Sequence, residues 1–285
     1  VFLRPLGLRL IAPEMLLTTS LETLLGGRRL GLFVVDEAHT VTSWGRDFRA
    51  DYWFMGDYLE RQRKNGLHFP VLCLTATAVF GGRDDVVQDT ISTLGLNQPI
   101  LYLGRVRRDN IDFDIHSLDK QTDESRDEFK VNHVAQKIAE YVAEGKKTLV
   151  YCPFRSTVDS IYQAVPFSVK DKVRRYHAGM ERGEKNAAQD AFKNNKAIVM
   201  ICTKAFGMGV DVPDIVQVYH YAPTGNLADY VQEIGRCARD KNLRGTAVEE
   251  YLPGDLSQLK RLHGMGGLRY RKMFGEYMVY VNDKP

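Results

Sequence analysis

Two groups of residues in this sequence have types and spacing suited to chemistry. Asp36 and Glu37 follow an unbroken apolar run, Leu32-Phe33-Val34-Val35. A run without polar alternation predicts a central parallel strand covered on both faces. Asp36 then stands at the strand's carboxyl end, the edge where open α/β sheets gather ligands. An aspartate there can hold a Mg²⁺ ion bridging nucleotide phosphates, and Glu37 beside it can polarise an attacking water. The plainer alternative is a pair of acids capping the next turn. Far downstream, Gln232, Arg236 and Arg239 recur at i, i+4 and i+7 within Asn226 to Asp240. That spacing predicts one helix face, separate from the apolar stripe of Leu227, Tyr230, Ile234 and Ala238. Two guanidiniums aimed together suit the equatorial oxygens of a transferring phosphoryl group. Surface pairing with Asp229, Glu233 or Asp240 is the alternative.

A second kind of chemistry is grip on a polymer. Trp44, Arg46, Phe48 and Arg49 crowd two rings, two guanidiniums and Gly45 into six positions, a composition suited to stacking on bases and holding phosphates. Thr203 to Asp214 places Gly207, Gly209 and Pro213 after an apolar strand, a loop whose backbone can closely approach a phosphate or sugar. A structural turn would need those glycines too. Thr75-Ala76-Thr77-Ala78 ends the apolar run Val71 to Leu74 and can hydrogen-bond across to the acidic pair or cap a helix.

The elements that must position these groups are legible as short apolar strands alternating with helices. Strands are predicted at Leu8–Ala12, Leu32–Val35, Val71–Leu74, Ile100–Leu103, Ile111–Ile115, Leu149–Cys152, Val173–Tyr176, Ile198–Cys202 and Val216–Tyr219. Helices are predicted over Met15–Leu25, Tyr52–Arg63, Asp84–Leu94, Val131–Ala143, Val158–Ala164, Glu184–Phe192 and Asn226–Asp240. This rhythm implies parallel sheets covered on both faces. The charged crossover Gly104 to Asn110 marks a domain boundary. Gly145-Lys146-Lys147-Thr148 resembles the tail of a phosphate-binding loop, but a helix precedes it and a strand follows, the reverse of what such a loop requires.

With 285 residues and 44% apolar content, the chain can bury substantial cores in about two domains. A net charge of +3 does not mark a nucleic-acid binder by itself, because binding follows clustered charge rather than the total. Four scattered cysteines with no Cys-x-x-Cys pair point to reduced thiols in an intracellular, cytoplasmic or nuclear setting. No apolar run reaches the roughly 18 residues of a membrane span. The chain opens on Val rather than Met, which reads as a piece of something longer.

These residues carry a resemblance. Asp36-Glu37-Ala38-His39 matches the second motif of superfamily 2 helicases, and the continuation through Trp44, Gly45, Asp47, Phe48 and Arg49 resembles the aromatic-rich loop of RecQ-like DNA helicases. In family order follow Thr75 to Ala78 as the third motif, Tyr151 to Ser156 as the fourth, Tyr176 to Met180 as a backbone-gripping element, Thr203 to Asp214 as the fifth and Gln232 to Asp240 as the sixth. Arg108 and Asn110 resemble an Arg-x-Asn hinge. Cys237-Ala238 departs from the Ala-Gly that the family often has. No Gly-x-x-x-x-Gly-Lys-Ser/Thr loop is present, and the family places one before residue 1.

The resemblance implies two RecA-like parallel-sheet α/β domains, the first truncated at its start: residues 1–104, 105–253, and a helical tail over 254–285 similar to the entrance of a zinc module without its cysteines. It implies an ATP-dependent DNA helicase or translocase moving 3′ to 5′, with ATP and Mg²⁺ as cofactors and no zinc site. The fragment alone would be inactive without the upstream loop. Catalytic roles fall to Asp36, Glu37, His39, Gln232, Arg236 and Arg239. Nucleotide contacts fall to Asp36, Gly209, Asp211, Arg236 and Arg239, with the metal at Asp36. Contacts to a strand fall to Trp44, Arg46, Phe48, Arg49, Thr77, Arg155, His177, Thr203 and Phe206. Single-stranded and partly duplex DNA is the implied partner, with proteins of a repair, recombination or defence complex and no membrane. A nucleic-acid-binding subunit without turnover and an RNA helicase of the same superfamily are the rival readings.

Overall fold

The computed structural model of the chain describes residues 7–41, 54–75, 85–102, 104, 108–120, 123–206, 211–224, 227–252, 255, 268–273 and 276–281. They belong to two compact units, residues 1–105 and 106–285.

In the first unit Pro13 opens helix α1 (Pro13–Thr18), where its missing N–H removes no helical bond. The chain breaks at Thr19 and Ser20. The Ser20 hydroxyl accepts from the Thr23 amide and starts α2 (Leu21–Leu25), which ends at Gly26 with φ 55. Strands β1 (Phe33–Val35) and β2 (Val71–Cys73) pair in parallel, Phe33 opposite Val71 and Val35 opposite Cys73. Helices α3 (Met55–Lys64) and α4 (Val86–Thr93) complete the unit, the latter capped by Asp85 on the Gln88 amide. Leu21, Leu24, Val35, Val41, Leu59 and Leu94 share its core.

Three expectations for this unit are corrected. Leu8 to Ala12 is not a strand; Leu8 and Leu10 are exposed, and an extended run becomes a strand only where a neighbour pairs its amides. Ile100 to Tyr102 is likewise unpaired, with Ile100 and Tyr102 exposed, and Leu103 lies outside the described residues. The strand at Val34 is covered on one face only. Val35 is buried, while Val34 is 46% exposed and its neighbour Leu72 is 40% exposed.

The second unit is built on six strands, β3 (Ile111–Ser117), β4 (Thr148–Tyr151), β5 (Val173–Tyr176), β6 (Val199–Cys202), β7 (Gln217–His220) and β8 (Gly245–Tyr251), in the order β3-β8-β7-β4-β6-β5. Every neighbouring pair is parallel. Each return therefore needs a crossover, and α5 (Arg126–Ala143), α6 (Arg155–Ala164), α7 (Arg182–Lys193) and α8 (Leu227–Ile234) supply four of the five, all but the return from β6 to β7. Successive residues of β4 point to opposite faces. Leu149 and Tyr151 join one core with Phe192, Phe206 and Ile234. Val150 and Cys152 join the other, with Ile138, Val158 and Ile161. β4, β6 and β7 are buried along their whole length, as the apolar runs of β4 and β6 predict, whereas β7 buries the polar Gln217 and His220.

The structure also corrects boundaries here. α5 starts at Arg126, ahead of the predicted Val131, because the Ser125 hydroxyl accepts from the Glu128 amide and caps it. β8 was not predicted. The tail, predicted helical, holds an antiparallel pair, β9 (Leu268–Met273) and β10 (Glu276–Val281); the run Tyr277-Met278-Val279-Tyr280-Val281 is rich in aromatic and β-branched residues that favour strands. Among the described residues no helix is long and apolar enough to cross a membrane.

Candidate functional site

In the first unit, Asp36 follows the last residue of β1 and is exposed. Its Oδ1 accepts from the Glu37 amide at 2.9 Å. Glu37 has φ 50, a left-handed conformation that is unfavourable for a residue with a side chain. It is held from both sides, since the Thr40 amide and hydroxyl both donate to its carbonyl, at 2.9 and 2.8 Å. His39 Nδ1 lies 2.9 Å from Thr75 Oγ1 and 3.4 Å from Glu37 Oε2. The hydroxyl that ends the β2 segment is thus wired to the acid that ends the β1 segment, as the spacing of the two runs allows. An exposed carboxylate with one oxygen oriented by an amide fits a hard cation, which prefers oxygen ligands.

In the second unit the predicted helix over Asn226 to Asp240 is corrected. α8 ends at Ile234. After Gly235 the chain tightens, with Arg236 N–H donating to Glu233 O and Cys237 N–H to Ile234 O, three-residue bonds typical of a helix end. Ala238 then turns left-handed at φ 46, a conformation unfavourable by roughly 1–2 kcal/mol for an L-residue. Gln232, Arg236 and Arg239 consequently do not share one helix face. Gln232 is exposed on α8. Arg236 turns inward beside Leu149, Phe206, Val212 and Ile215, where its Nε is buried without a hydrogen-bond partner. The Tyr151 phenol, which donates to Phe206 O at 3.3 Å, is held well above its usual pKa by burial, reinforced by Cys202, against the pull of this guanidinium. Arg239, exposed, lines the same small pocket and donates to Asp211 Oδ1 at 2.8 Å. Its partner is therefore none of the three acids expected for surface pairing, but the residue expected at a ribose.

The residues expected to touch a strand form a separate group at the carboxyl edge. Arg155 opens α6 and is exposed. His177, 6% exposed, follows β5 and lies 3.3 Å from Asp159 through Nε2, while its buried Nδ1 has no partner. Both close on Gly179: a Cβ there would lie 3.2 Å from His177 Nδ1 and 3.3 Å from Arg155 Nη1. Thr203, half-buried, donates its amide to Tyr176 O at 3.2 Å. Phe206 is corrected: at 1% exposure, edge-on to Tyr176 and Phe192, it is a core ring with no face for a base. Trp44, Arg46, Phe48, Arg49, Thr77 and Gly209 lie outside the described residues.

Lys147, in the rejected phosphate-loop segment, is buried and donates to Asn195 Oδ1 at 2.6 Å and Asp214 Oδ1 at 2.8 Å. Its charge serves the fold. Several buried polar groups escaped sequence reading. His220 Nε2 and Glu233 Oε2 meet at 2.8 Å beneath the Tyr151 ring. Lys130, whose ammonium burial pulls below its usual pKa against the opposing pull of Asp255, shares that carboxylate with Arg126. A buried charge is rarely left unpaired, but the partners lie in other elements and no local spacing announces them.

Residues 130–241 match the helicase conserved C-terminal domain family. The chain is 34% identical over 230 residues to the probable ATP-dependent DNA helicase RecS of Bacillus subtilis, which takes in 81% of this chain and 43% of that protein. It is 30% identical over 262 residues to the ATP-dependent DNA helicase RecQ of Pasteurella multocida, 90% of this chain and 37% of that one. It thus spans less than half the length of either relative. Among solved structures, that of the DUF1998 helicase MrfA bound to DNA and AMPPNP aligns with a TM-score of 0.64 at 16% identity, over 82% of this chain and 33% of that one. At that identity the likeness concerns the fold, which is RecA-like.

Proposed function

We propose that this chain, a RecQ-like superfamily 2 helicase sequence, works within an ATP-dependent DNA helicase or translocase that moves 3′ to 5′ on a single strand in the cytoplasm. The observation that carries the reading is the strained acidic pair at the end of β1, with Glu37 held left-handed and joined through His39 to Thr75. Strain maintained at an exposed carboxylate is a feature of functional sites. Asp36 would hold Mg²⁺, Glu37 would orient and deprotonate water, and the guanidiniums of Arg236 and Arg239 would stabilise transferred charge. A magnesium nucleotide held by Asp36 would supply the phosphoryl group and its polarisation. The His39–Thr75 hydrogen bond gives the acidic pair a physical route to the segment after β2. Arg155, His177 and Thr203 support a separate grip on a phosphate backbone.

The test is Glu37→Gln in the full-length protein. DNA-stimulated ATP hydrolysis should fall by about a thousand-fold, while ATP affinity changes little, as for loss of a group that acts in the transition state. Unchanged turnover would remove Glu37 from the chemistry.

A further inference from the structure

Two side chains just past the division between the units converge on the turn that carries the arginine pair. Arg108 Nη2 donates to Cys237 O at 3.1 Å and to Ala238 O at 2.6 Å. Asn110 Nδ2 donates to Ala238 O at 2.9 Å and to Leu243 O at 3.0 Å. The two are also joined to each other, Arg108 Nε donating to Asn110 Oδ1 at 3.1 Å. Both N–H groups of the Asn110 amide are therefore used, and its oxygen accepts from Arg108. Both carbonyls it meets can only accept, so its nitrogen must face them.

The target of this clamp is a residue whose own backbone preference opposes its conformation. Ala238 is left-handed, a backbone state that glycine adopts freely and alanine resists. Its carbonyl takes two of the clamp's donors, and its own N–H donates to Ile215 O at 2.7 Å. Packing around the turn is close: a Cβ on Gly245 would stand 2.3 Å from Cys237 Sγ and 3.1 Å from Ala238 Cβ. Ala238 also lies between Arg236 and Arg239. Its dihedrals set the directions in which the two side chains leave the backbone, Arg236 beside Leu149 and Phe206 and Arg239 to Asp211.

We propose that Arg108 and Asn110 are positioning residues for the Arg236 and Arg239 pair, holding Ala238 left-handed so that the guanidiniums keep their separate directions. The proposal rests on the ATP hydrolysis proposed above. It assigns the start of the second unit a direct hold on the turn that carries the two arginines.

Asn110→Ala, Ala238→Gly and the double variant test it in the full-length protein. Asn110→Ala should lower kcat for DNA-stimulated ATP hydrolysis about ten-fold or more and leave KM for ATP within about two-fold, since misplacement penalises the transition state. Ala238→Gly alone should stay near the wild-type rate. The double variant should recover most of the lost kcat, because glycine keeps the turn without the clamp. Amide hydrogen exchange over residues 236–243 gives a second readout independent of turnover: faster in Asn110→Ala, restored in the double variant. Unchanged kcat and exchange in Asn110→Ala would overturn the proposal. So would a loss of kcat that follows the melting temperature and ignores Ala238→Gly. If exchange quickens but hydrolysis persists in both Asn110→Ala and Arg239→Ala, the arginine chemistry itself is refuted. If hydrolysis persists in Asn110→Ala alone while Arg239→Ala is inactive, only the positioning role falls.

Discussion

The β1–β2 pair of the first unit and the β4–β6 pair of the second arise from sequence runs of the same kind, short, apolar and without alternation, and both pair in parallel. Their environments differ. Every residue of β4 and β6 is buried between helices on both faces, whereas Leu32, Val34, Leu72 and Leu74 leave one face of the first pair 40–47% exposed. An apolar run therefore predicts a parallel strand, while its coverage depends on what packs against it. The contrast has a functional side as well. The carboxylates stand beside the open pair, and the half-buried Arg236 lies against the closed core.

The contrast can be tested by truncation. Ile201, fully buried in β6, should lose about 3 kcal/mol of unfolding free energy on Ile201→Ala, from lost burial and the cavity left behind. Urea unfolding followed by tyrosine signals would measure it. A loss under about 1 kcal/mol would mean that this core relaxes readily, and the contrast with the open sheet would fail. Val34→Ala should lose no more than about 1 kcal/mol, because a half-exposed side chain gives up less on truncation. A penalty equal to that of Ile201→Ala would show the open face to be covered in solution.

The smallest expected effect is electrostatic. Burial works against the Glu250 carboxylate, yet hydrogen bonds from His133 at 2.7 Å and Tyr219 at 2.8 Å bring its pKa below the usual value of 4.5. A depressed acid contributes stability that is present above its unfolded pKa and lost as pH falls through its folded pKa. The melting temperature of the second unit should therefore decline below about pH 4.5. Glu250→Gln should flatten that decline, and an unchanged slope would show that other acids set it.

Much of this was legible in advance. The buried strands β4 and β6 announced themselves because a strand covered on both faces is nearly continuous in apolar residues. The position of Asp36 at a strand end followed from the same run. What escaped reading was set by contacts between distant segments. The end of α8 was signalled only by Gly235 inside an otherwise helical pattern, and the left-handed Ala238 depends on Arg108, Asn110 and Ile215, none of them near it in sequence. Phe206 reads as a polymer-binding ring beside a glycine-rich loop, but Tyr176 and Phe192 claim both its flanks. The His220 and Glu233 pair joins two elements whose spacing in the chain carries no period.

One detail of the arginine turn makes it observable. The Cys237 thiol is buried against Gly245 and donates weakly to Thr246 O at 3.8 Å, and burial pushes its pKa up to about 11. A thiol in that state reacts with an alkylating reagent only when its surroundings part. Its rate of labelling, resolved by peptide mass from the other three cysteines, is thus a built-in clock that counts each loosening of the segment between the two guanidiniums.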